Sequence, residues 1–316
     1  MGQISVIANR NDADWLEVRK DYIGASEIAA AAGIHPFRTP FSLWSEKVGL
    51  SEPFAGNEST EWGNRLEPAV FAKWCEITGN HDMRLNDHTF TNSSYPRMSA
   101  TPDAIIAAHR PRPHFLEIKT TSLRQKSAWA EGVPDYVQLQ CQQQMLVLGI
   151  GSWCDLAVLI GGQQYEQFRV EYDAEIAEKL VKIAAEFWER VDKKQPPELS
   201  EGDKDLVKLL YPEGRDEVAA LPDNAKEWAA LWFELKEQKK ELERKLDRVE
   251  TQFKGMLAEC ESGVVGDYVV NWKTSYSTRL DTKAIKNFHP LVAEQCTVVS
   301  PQRRFGIKKL EDKENE

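Results

Sequence analysis

Two short segments, Thr101-Pro102-Asp103 and Glu117-Ile118-Lys119, constrain this chain more than any other feature, and thirteen residues separate Asp103 from Glu117. Residues 114–120 around the second segment alternate between apolar and polar side chains, which predicts a short strand. Because side chains alternate between the two faces of a strand, Glu117 and Lys119 share one face while their apolar neighbours point into the core. The pattern therefore predicts an acidic site on a strand that is otherwise built into a core.

An aspartate on a neighbouring strand would place the carboxylate of Asp103 beside that of Glu117. Two carboxylates and a main-chain carbonyl are hard oxygen ligands, which suit Mg²⁺ or Mn²⁺. A lysine two residues from a ligating glutamate can orient an attacking water and help to deprotonate it. These groups together predict metal-assisted hydrolysis of a phosphodiester. The Glu-x-Lys pattern alone is weak, because charged residues alternate on many solvent-facing strands.

Two further elements support the pattern. Glu67, on a helix that precedes the strands, would supply another carboxylate. On the helix that follows them, Gln138 or Gln140 would hydrogen-bond a metal ligand or the nucleophilic water.

The apolar periodicity predicts both helices and strands. The predicted helices cover residues 14–32 with a turn at Gly24, 40–48, 60–78, 136–148 and 174–191. The predicted strands cover residues 97–107 with a turn at Thr101-Pro102-Asp103, 114–120, 155–160 and 167–172. This order predicts the α/β class, a central mixed sheet flanked by helices.

The C-terminal third has a different character. A segment rich in Pro, Gly and charge predicts a domain boundary, with a first domain at 1–195, a linker at 196–222 and a C-terminal region at 223–316. Residues 223–261 predict one long helix in which apolar residues recur every seven positions, at Trp228, Leu235, Leu242, Val249 and Met256. Such a stripe is typical of a coiled coil, although a helix that packs on its own domain is the alternative. A small tail with predicted strands at 268–272 and 297–300 follows.

Composition excludes several classes of protein. The five cysteines are scattered without a Cys-x-x-Cys pair, so neither a disulfide framework nor a cysteine zinc site is expected. Residues 1–15 have no secretory pattern, and no apolar run approaches the roughly 20 residues of a membrane span. We therefore expect a cytoplasmic protein without a membrane partner. The net charge of −10 argues only weakly against nucleic acid, because a DNA channel can be locally basic on an acidic protein.

Five segments, in order, resemble the lambda-exonuclease and YqaJ-type viral recombinase family of the PD-(D/E)XK nuclease superfamily. The segments are WLEVRKDYIGASEIAAAAG from Trp15, GNRLEPAVFAKW from Gly63, MSATPDAII from Met98, LEIKT from Leu116 and YVQLQCQQQM from Tyr136. The resemblance covers roughly residues 14 to 172. It implies a restriction-endonuclease-like core in residues 1–195, with the C-terminal region as a helical extension.

The resemblance also implies roles for individual residues. Asp103, Glu117 and the carbonyl of Ile118 would bind the metal, and Lys119 would activate the water. Glu67 would be an auxiliary acidic residue and Gln138 a supporting one. The 5′-phosphate of a DNA end would be held by Arg19 and Ser26, assisted by Thr101; arginine suits this role because its planar fork pairs with two phosphate oxygens.

The activity implied by the resemblance is a Mg²⁺-dependent 5′-to-3′ exonuclease, with Mn²⁺ as an alternative metal. Such an enzyme degrades one strand of linear double-stranded DNA and leaves 3′ single-stranded tails for phage-type homologous recombination. The implied partners are double-stranded DNA ends, a single-strand annealing protein and further copies of the chain, as a trimer. The implied setting is the cytoplasm of a bacterial host, with the protein encoded by a phage or prophage.

Two alternatives remain open at the level of sequence. The first is a structure-specific or restriction-like endonuclease of the same fold. A pocket for a terminal phosphate, formed by Arg19 and Ser26, would be useless to that enzyme. The second is a non-enzymatic DNA-binding or scaffold protein that uses the C-terminal coiled coil. The intact set of Asp103, Glu117 and Lys119 argues against it.

Overall fold

The computed structural model describes residues 2–9, 15–54, 56–106, 114–298 and 304–308. The chain divides into two compact units, Met1–Leu210 and Tyr211–Glu316. None of the helices in the described residues is long and apolar enough to span a membrane.

The first unit contains nine strands and seven α-helices among the described residues, together with 3₁₀ turns at Leu123–Trp129 and Glu201–Asp203. The strands are β1 Ile4–Asn9, β2 Ile23–Gly24, β3 Met83–Leu85, β4 His88–Asn92, β5 Met98–Ala100, β6 Ala104–Ile106, β7 Phe115–Thr121, β8 Trp153–Ile160 and β9 Gln164–Glu171. The helices are α1 Trp15–Lys20, α2 Ile28–Ala31, α3 Pro40–Lys47, α4 Glu58–Thr78, α5 Asp135–Leu148, α6 Ala174–Asp192 and α7 Lys204–Leu210.

These strands form two mixed sheets. The larger sheet has the order β3-β6-β7-β8-β9, in which β7 and β8 are parallel and the other neighbours antiparallel. The smaller sheet has the order β1-β4-β5-β2, in which only β2 and β5 run parallel. The predicted α/β class is confirmed, but the strands are divided between two sheets instead of one. The parallel pair requires a crossover, which α5 provides.

Helices cover both faces of the larger sheet. On one face, Val70 and Trp74 of α4 pack against Leu116 and Ile118 of β7. On the other face, α5 and α6 bury the main core with Phe115 of β7. The alternation predicted for β7 is therefore present, and Glu117 lies on the α5 side of the sheet. A carboxylate in this position is removed from water and must find polar partners inside the protein.

The ends of α4 explain why this helix lies where it does. Asn57 precedes its first turn and accepts a hydrogen bond from the amide of Thr60 at 3.0 Å. Gly79 ends it with a φ of 66°, a left-handed conformation that glycine adopts without steric cost. The helix begins at Glu58, two residues earlier than the periodicity predicts, because the capping residue and not the apolar pattern sets its start.

The first unit extends beyond the predicted boundary at residue 195. Asp203 is almost fully buried and accepts a hydrogen bond from the hydroxyl of Thr39. Leu206, Val207 and Leu210 pack against the main core. Residues 201–210 of the predicted linker thus belong to the first unit, because the short helix α7 has an apolar side that the composition of the segment hides.

The second unit contains a long helix and a β-hairpin. Helix α8 spans Ala225–Leu257, and the hairpin pairs β10 Ser262–Val265 with β11 Tyr268–Asn271. Two short helices follow, α9 Thr282–Phe288 and α10 Pro290–Gln295. The strand predicted at 297–300 is absent from its described residues Thr297 and Val298, and residues 299 and 300 lie outside the described residues.

Candidate active site

Asp103 lies at the point where the chain leaves the smaller sheet and enters the larger one. Strand β5 ends at Ala100, β6 begins at Ala104, and Pro102 interrupts the hydrogen-bonding ladder between them. The side chain of Asp103 is buried, and its Oδ2 accepts a hydrogen bond from the backbone amide of Ile118 at 2.7 Å. This bond ties Asp103 to β7 beside Glu117, as the sequence predicts.

Glu117 is held by three side chains. Its Oε1 accepts hydrogen bonds from Lys119 Nζ at 2.6 Å and from Gln140 Nε2 at 2.5 Å, and its Oε2 accepts one from Gln144 Nε2 at 2.8 Å. Lys119 Nζ also donates to Gln140 Oε1 at 2.8 Å. Glu117 is only 2% exposed, whereas the side chain of Lys119 is 25% exposed. Lys119 is therefore the part of this cluster that reaches the surface.

Burial and the close approach of Asp103, Glu117 and Lys119 shift the pKa values of Glu117 and Lys119. Burial raises the pKa of Glu117, the neighbouring charge of Asp103 raises it further, and the ammonium of Lys119 opposes both. Burial alone would lower the pKa of Lys119, but the charges of Glu117 and Asp103 outweigh it and raise that pKa. The protein thus brings two carboxylates together, and a cation placed between them would relieve their repulsion.

The glutamine helix faces the site through different residues from the one that the resemblance implies. Gln138 donates to the backbone carbonyl of Val133 at 2.8 Å and does not contact Glu117. Gln140 and Gln144 are four residues apart and so share one helix face, while Gln138 is turned about 200° away from Gln140. The hydrogen bonds to Glu117 come from Gln140, the other candidate from the sequence, and from Gln144, while the supporting role of Gln138 stays a prediction.

Glu67 is half-buried on α4. Among the described residues, no three His, Cys, Asp or Glu side chains converge as a metal-binding group, so Glu67 does not complete such a group with Asp103 and Glu117. A cation bound here would need a main-chain oxygen or an amide oxygen as its next protein ligand. The buried Oε1 of Gln144 has no hydrogen-bond partner among the described residues. An uncompensated oxygen beside two carboxylates fits a hard divalent cation and its water.

A cleft of about 1290 Å³ opens beside this cluster. Lys119 lines it together with Arg19 and Ser26, so the structure brings the predicted phosphate ligands and the predicted catalytic lysine to one surface. Thr101 is not among the described residues that line the cleft. Its hydroxyl lies 3.0 Å from that of Thr89, which also accepts a hydrogen bond from the indole of Trp15 at 3.3 Å.

Arg19 is positioned by a buried carboxylate that the sequence analysis did not single out. Glu27 Oε1 accepts from Arg19 at 2.9 Å and from Arg38 at 3.3 Å, and Oε2 accepts from Lys47 Nζ at 2.8 Å and from the amide of Gly24 at 3.0 Å. Burial would raise the pKa of Glu27, but the charges of Lys47, Arg19 and Arg38 outweigh it and lower the pKa to about 2. The guanidinium of Arg19 also lies 4.7 Å from the ring centre of Trp15. One buried anion therefore organises three cations, of which Arg19 and Arg38 line the cleft and Lys47 is buried.

Other cleft residues were also missed by the sequence analysis. Arg38 contacts both Glu27 and Glu46 and faces the cleft beside Arg19. His35 packs edge-on against Tyr136, with ring centres 5.4 Å apart. Burial and the charges of Arg38 and Lys119 lower the pKa of His35, so it is a neutral group beside two cations. Single basic or aromatic residues outside a repeating pattern carry no signal that would have identified them.

Comparisons with known proteins point to one family. Residues 14–151 match the family model described as YqaJ-like viral recombinase domain. A Bacillus subtilis relative, the uncharacterized protein YqaJ, is 32% identical over 306 residues, which cover 94% of this chain and 94% of the relative. The solved structure of an alkaline exonuclease from Laribacter hongkongensis aligns with a TM-score of 0.46 and 19% identity, covering 63% of this chain and 100% of that chain. A phage related exonuclease from Haemophilus somnus aligns with a TM-score of 0.40 and 13% identity, covering 55% and 96%.

Proposed function

The chain belongs to the YqaJ-like viral recombinase family, and we propose that it is a Mg²⁺-dependent 5′-to-3′ exonuclease. In this proposal it degrades one strand of linear double-stranded DNA in the bacterial cytoplasm and leaves 3′ single-stranded tails for homologous recombination. One observation carries the proposal. The buried carboxylate of Asp103 accepts a hydrogen bond from the backbone amide of Ile118, next to the buried Glu117, and Lys119, which donates to Glu117, lines the cleft.

The donor set supports a divalent metal. Asp103, Glu117 and the carbonyl of Ile118 would hold Mg²⁺, with Mn²⁺ as the alternative, because all three offer hard oxygen atoms. When bound, the metal supplies a more acidic water and neutralises charge on the phosphate. Binding must compete with the hydrogen bonds that Lys119, Gln140 and Gln144 donate to Glu117.

The side chains around the carboxylates have separate tasks. Lys119, the most exposed of them, donates from its ammonium, so it is suited to orienting a water and to pairing with a phosphate oxygen. Gln140 and Gln144 fix the plane of the Glu117 carboxylate. Such supporting contacts are typically worth 10- to 100-fold in metal affinity or activity. Glu67, half-buried on α4, would act as an auxiliary acid.

The preference for an end is assigned to Arg19 and Ser26. Ser26 is exposed, and Arg19 is held beside it by Glu27, so a hydroxyl and a guanidinium face the cleft together. A terminal phosphate offers the oxygens that this pair would bind. Thr101, whose hydroxyl lies 3.0 Å from that of Thr89, would assist them. A single-strand annealing protein that receives the 3′ tail, and a trimer of the chain around DNA, complete the proposal.

The first test uses four substrates. Linear duplex DNA with 5′-phosphate ends, the same duplex with 5′-hydroxyl ends, a duplex with labelled 3′ ends and a covalently closed circle are incubated with the full-length protein, with and without Mg²⁺. We expect Mg²⁺-dependent loss of the 5′-phosphorylated strand, slower loss from 5′-hydroxyl ends, retention of the 3′ label in long products and an intact circle. Cleavage of the circle would replace the exonuclease with the endonuclease alternative.

Variants separate the site from the rest of the surface. Lys119→Ala should lose at least about 100-fold in rate, in the range that general acid–base and electrostatic groups supply. Lys126→Ala is the matched control, because Lys126 is an exposed lysine seven residues later, in the 3₁₀ turn that follows β7. The electron spin resonance signal of free Mn²⁺ reports binding directly. Asp103→Asn and Glu117→Gln should abolish binding, and binding that is unchanged in both variants would refute the proposed metal site.

A further inference from the structure

Helix α8 of the second unit carries an apolar seam along its whole length. The seam has heptad positions d and a, which alternate at spacings of four and three residues: Trp228, Trp232, Leu235, Lys239, Leu242, Leu246, Val249, Phe253 and Met256. Seven of these nine residues are apolar and between 36% and 76% exposed. A helix with such a stripe gains most of its stability by burying it against another element. The exposure shows that the other described elements of the second unit leave most of the stripe uncovered.

We propose that α8 pairs with α8 of a second copy of this chain as an antiparallel two-stranded coiled coil. The spacing of the seam is that of knobs-into-holes packing between two helices, and it continues for more than four heptads without a proline; the one glycine of the helix, Gly255, lies in its last turn. The proposal concerns the second unit alone and does not depend on the nuclease activity of the first.

The one polar residue in the seam decides the orientation. Lys239 occupies an a position, and a single lysine there specifies how the helices align. In a parallel pair the ammonium of Lys239 would face its own copy across the core. In an antiparallel pair the helices cross at the point midway between Lys239 and Leu242, so Lys239 faces the apolar Leu242 of the second copy. The antiparallel arrangement therefore removes a like-charge contact from the centre of the interface.

The flanking charges agree with this alignment. Lys236 and Glu243 occupy e positions, which flank the seam. In the antiparallel pair, Lys236 of one helix faces Glu243 of the other, and the two-fold symmetry produces this contact twice. In a parallel pair they would face Leu231 and Gln238 instead. The parallel pair would gain a contact between Lys245 and Glu250, but it would retain the repulsion at Lys239. Charge complementarity thus selects a second copy in the antiparallel orientation.

The packing layers are also complementary in size. The same alignment places Trp228 against Phe253 of the second copy and Leu235 against Leu246. A large aromatic layer would close each end of the interface, with aliphatic layers inside it. Such a core of unequal partners fills the space between two helices without voids.

The experiment measures the mass of the full-length protein by sedimentation velocity between 1 and 50 µM, that is, about the range in which specific pairs form. Leu242→Glu places a charge in the seam and should at least halve the mass. Leu242 is 60% exposed and belongs to the second unit, so this change should not unfold the first unit. An unchanged thermal unfolding transition of the first unit serves as the check. Glu237→Lys, a charge reversal on the outer side of the same helix, is the matched control and should leave the mass unchanged.

Charge reversal then tests the orientation. Lys236→Glu and Glu243→Lys should each weaken association about tenfold, through two symmetric contacts, and the double variant should restore it. A cysteine pair gives an independent readout in a Cys260→Ser, Cys296→Ser background. Leu235→Cys mixed with Leu246→Cys should form an intermolecular disulfide, whereas Leu235→Cys alone should not.

The outcomes are distinct. A smaller mass for Leu242→Glu, restored association in the charge swap and cross-linking only in the cysteine mixture support the proposal. A monomer at 50 µM, a mass that Leu242→Glu leaves unchanged, or a disulfide formed by Leu235→Cys alone would each overturn it. The nuclease assay is not part of this test, so failure of the proposed activity would leave the result interpretable.

Discussion

Replacing Glu27 by glutamine would remove the anion that organises Arg19 and Arg38 at the cleft and the buried Lys47 beside them. Glutamine keeps the size of the side chain and one carbonyl oxygen, so the substitution isolates the charge. Glu27 is 4% exposed, and the side chain of Lys47 is equally buried at 4%. We therefore expect the free energy of unfolding of the first unit to fall, because buried cations lose their counter-charge.

Two estimates of the magnitude agree. A pKa lowered from 4.5 to about 2 corresponds to about 3 kcal/mol of stability from ionised Glu27 at neutral pH. Removing one partner from a buried ion pair costs about 3 to 5 kcal/mol. Lys47 keeps its hydrogen bonds to the carbonyls of Arg19 and Tyr22, which places the expected loss at the lower end, near about 3 kcal/mol.

The assay is urea unfolding of wild type and Glu27→Gln, followed by the fluorescence of the tryptophans in the first unit. Glu46→Gln is the matched control: Glu46 contacts Arg38 at its edge and is 15% exposed, so a loss below about 1.5 kcal/mol is expected. The pH dependence provides a second signature. Because the pKa of Glu27 is lower in the folded state, its contribution is complete above about pH 4.5 and is lost as the pH falls toward 2.

The difference between wild type and Glu27→Gln should accordingly shrink over that interval and stay constant from pH 5 to 8. A loss of less than about 1 kcal/mol at pH 7 would refute the reasoning, since that is the value of an ion pair at the surface. So would a difference that grows as the pH falls, because the sign would then be that of a carboxyl with a raised pKa.

Further predictions concern the site and the core. Gln144→Leu should lower kcat 10- to 100-fold with little change in KM, because the Glu117 carboxylate loses one of its fixed contacts, whereas Gln138→Ala should stay within about twofold; steady-state rates on linear duplex DNA measure both. Chelation of divalent metal by EDTA should abolish activity while far-UV circular dichroism stays unchanged, because protein side chains already hold Glu117 without metal. Trp74→Ala should cost about 3 to 5 kcal/mol in urea unfolding, since Trp74 is 2% exposed, whereas Ile77→Ala, at 49% exposure on the same helix, should cost less than about 1.5.

The elements that could be predicted from the sequence are those with one buried face and one face exposed to solvent. The alternation in β7 placed Glu117 and Lys119 on one face, and the structure confirms that division. The apolar stripes also predicted α4 and α6, whose periodicity records which side meets the sheet. The resemblance to YqaJ-type proteins is confirmed by the full-length relative, and it supplied the order of the segments.

Helix α5 shows why the supporting glutamine could not be chosen from the pattern. Nine consecutive residues, from Gln140 to Leu148, are buried, so polar and apolar side chains do not separate into two faces. When a helix is covered on all sides, its sequence pattern does not indicate which face points toward the site. Only contacts made after folding distinguish Gln140 and Gln144 from Gln138.

Five strands, β1, β2, β3, β4 and β10, escaped prediction for a different reason. They are short or largely exposed on one face, and the pairing of β1 is set by a distant partner, as in the contact of Ile4 with Asn92. Isolated short strands of this kind have no stability of their own. Glu27 was missed for a related reason: a glutamate next to an exposed serine looks like a surface residue until the cations that surround it are assembled.

The contacts that build the site are close together along the chain, and this has a consequence for the order of folding. The bond from Asp103 to Ile118 spans 15 residues, that from Lys119 to Gln140 spans 21 and that from Gln144 to Glu117 spans 27. The contact of Trp15 with Thr89 spans 74. Short loops lose less entropy on closing, so we expect amides of β7 and α5 to gain protection from hydrogen exchange earlier in refolding than those of β1. Pulse labelling that shows β1 protected first would contradict this order; in the expected order, the segment that carries Asp103 and Glu117 is a folding nucleus onto which the N-terminal segment is added.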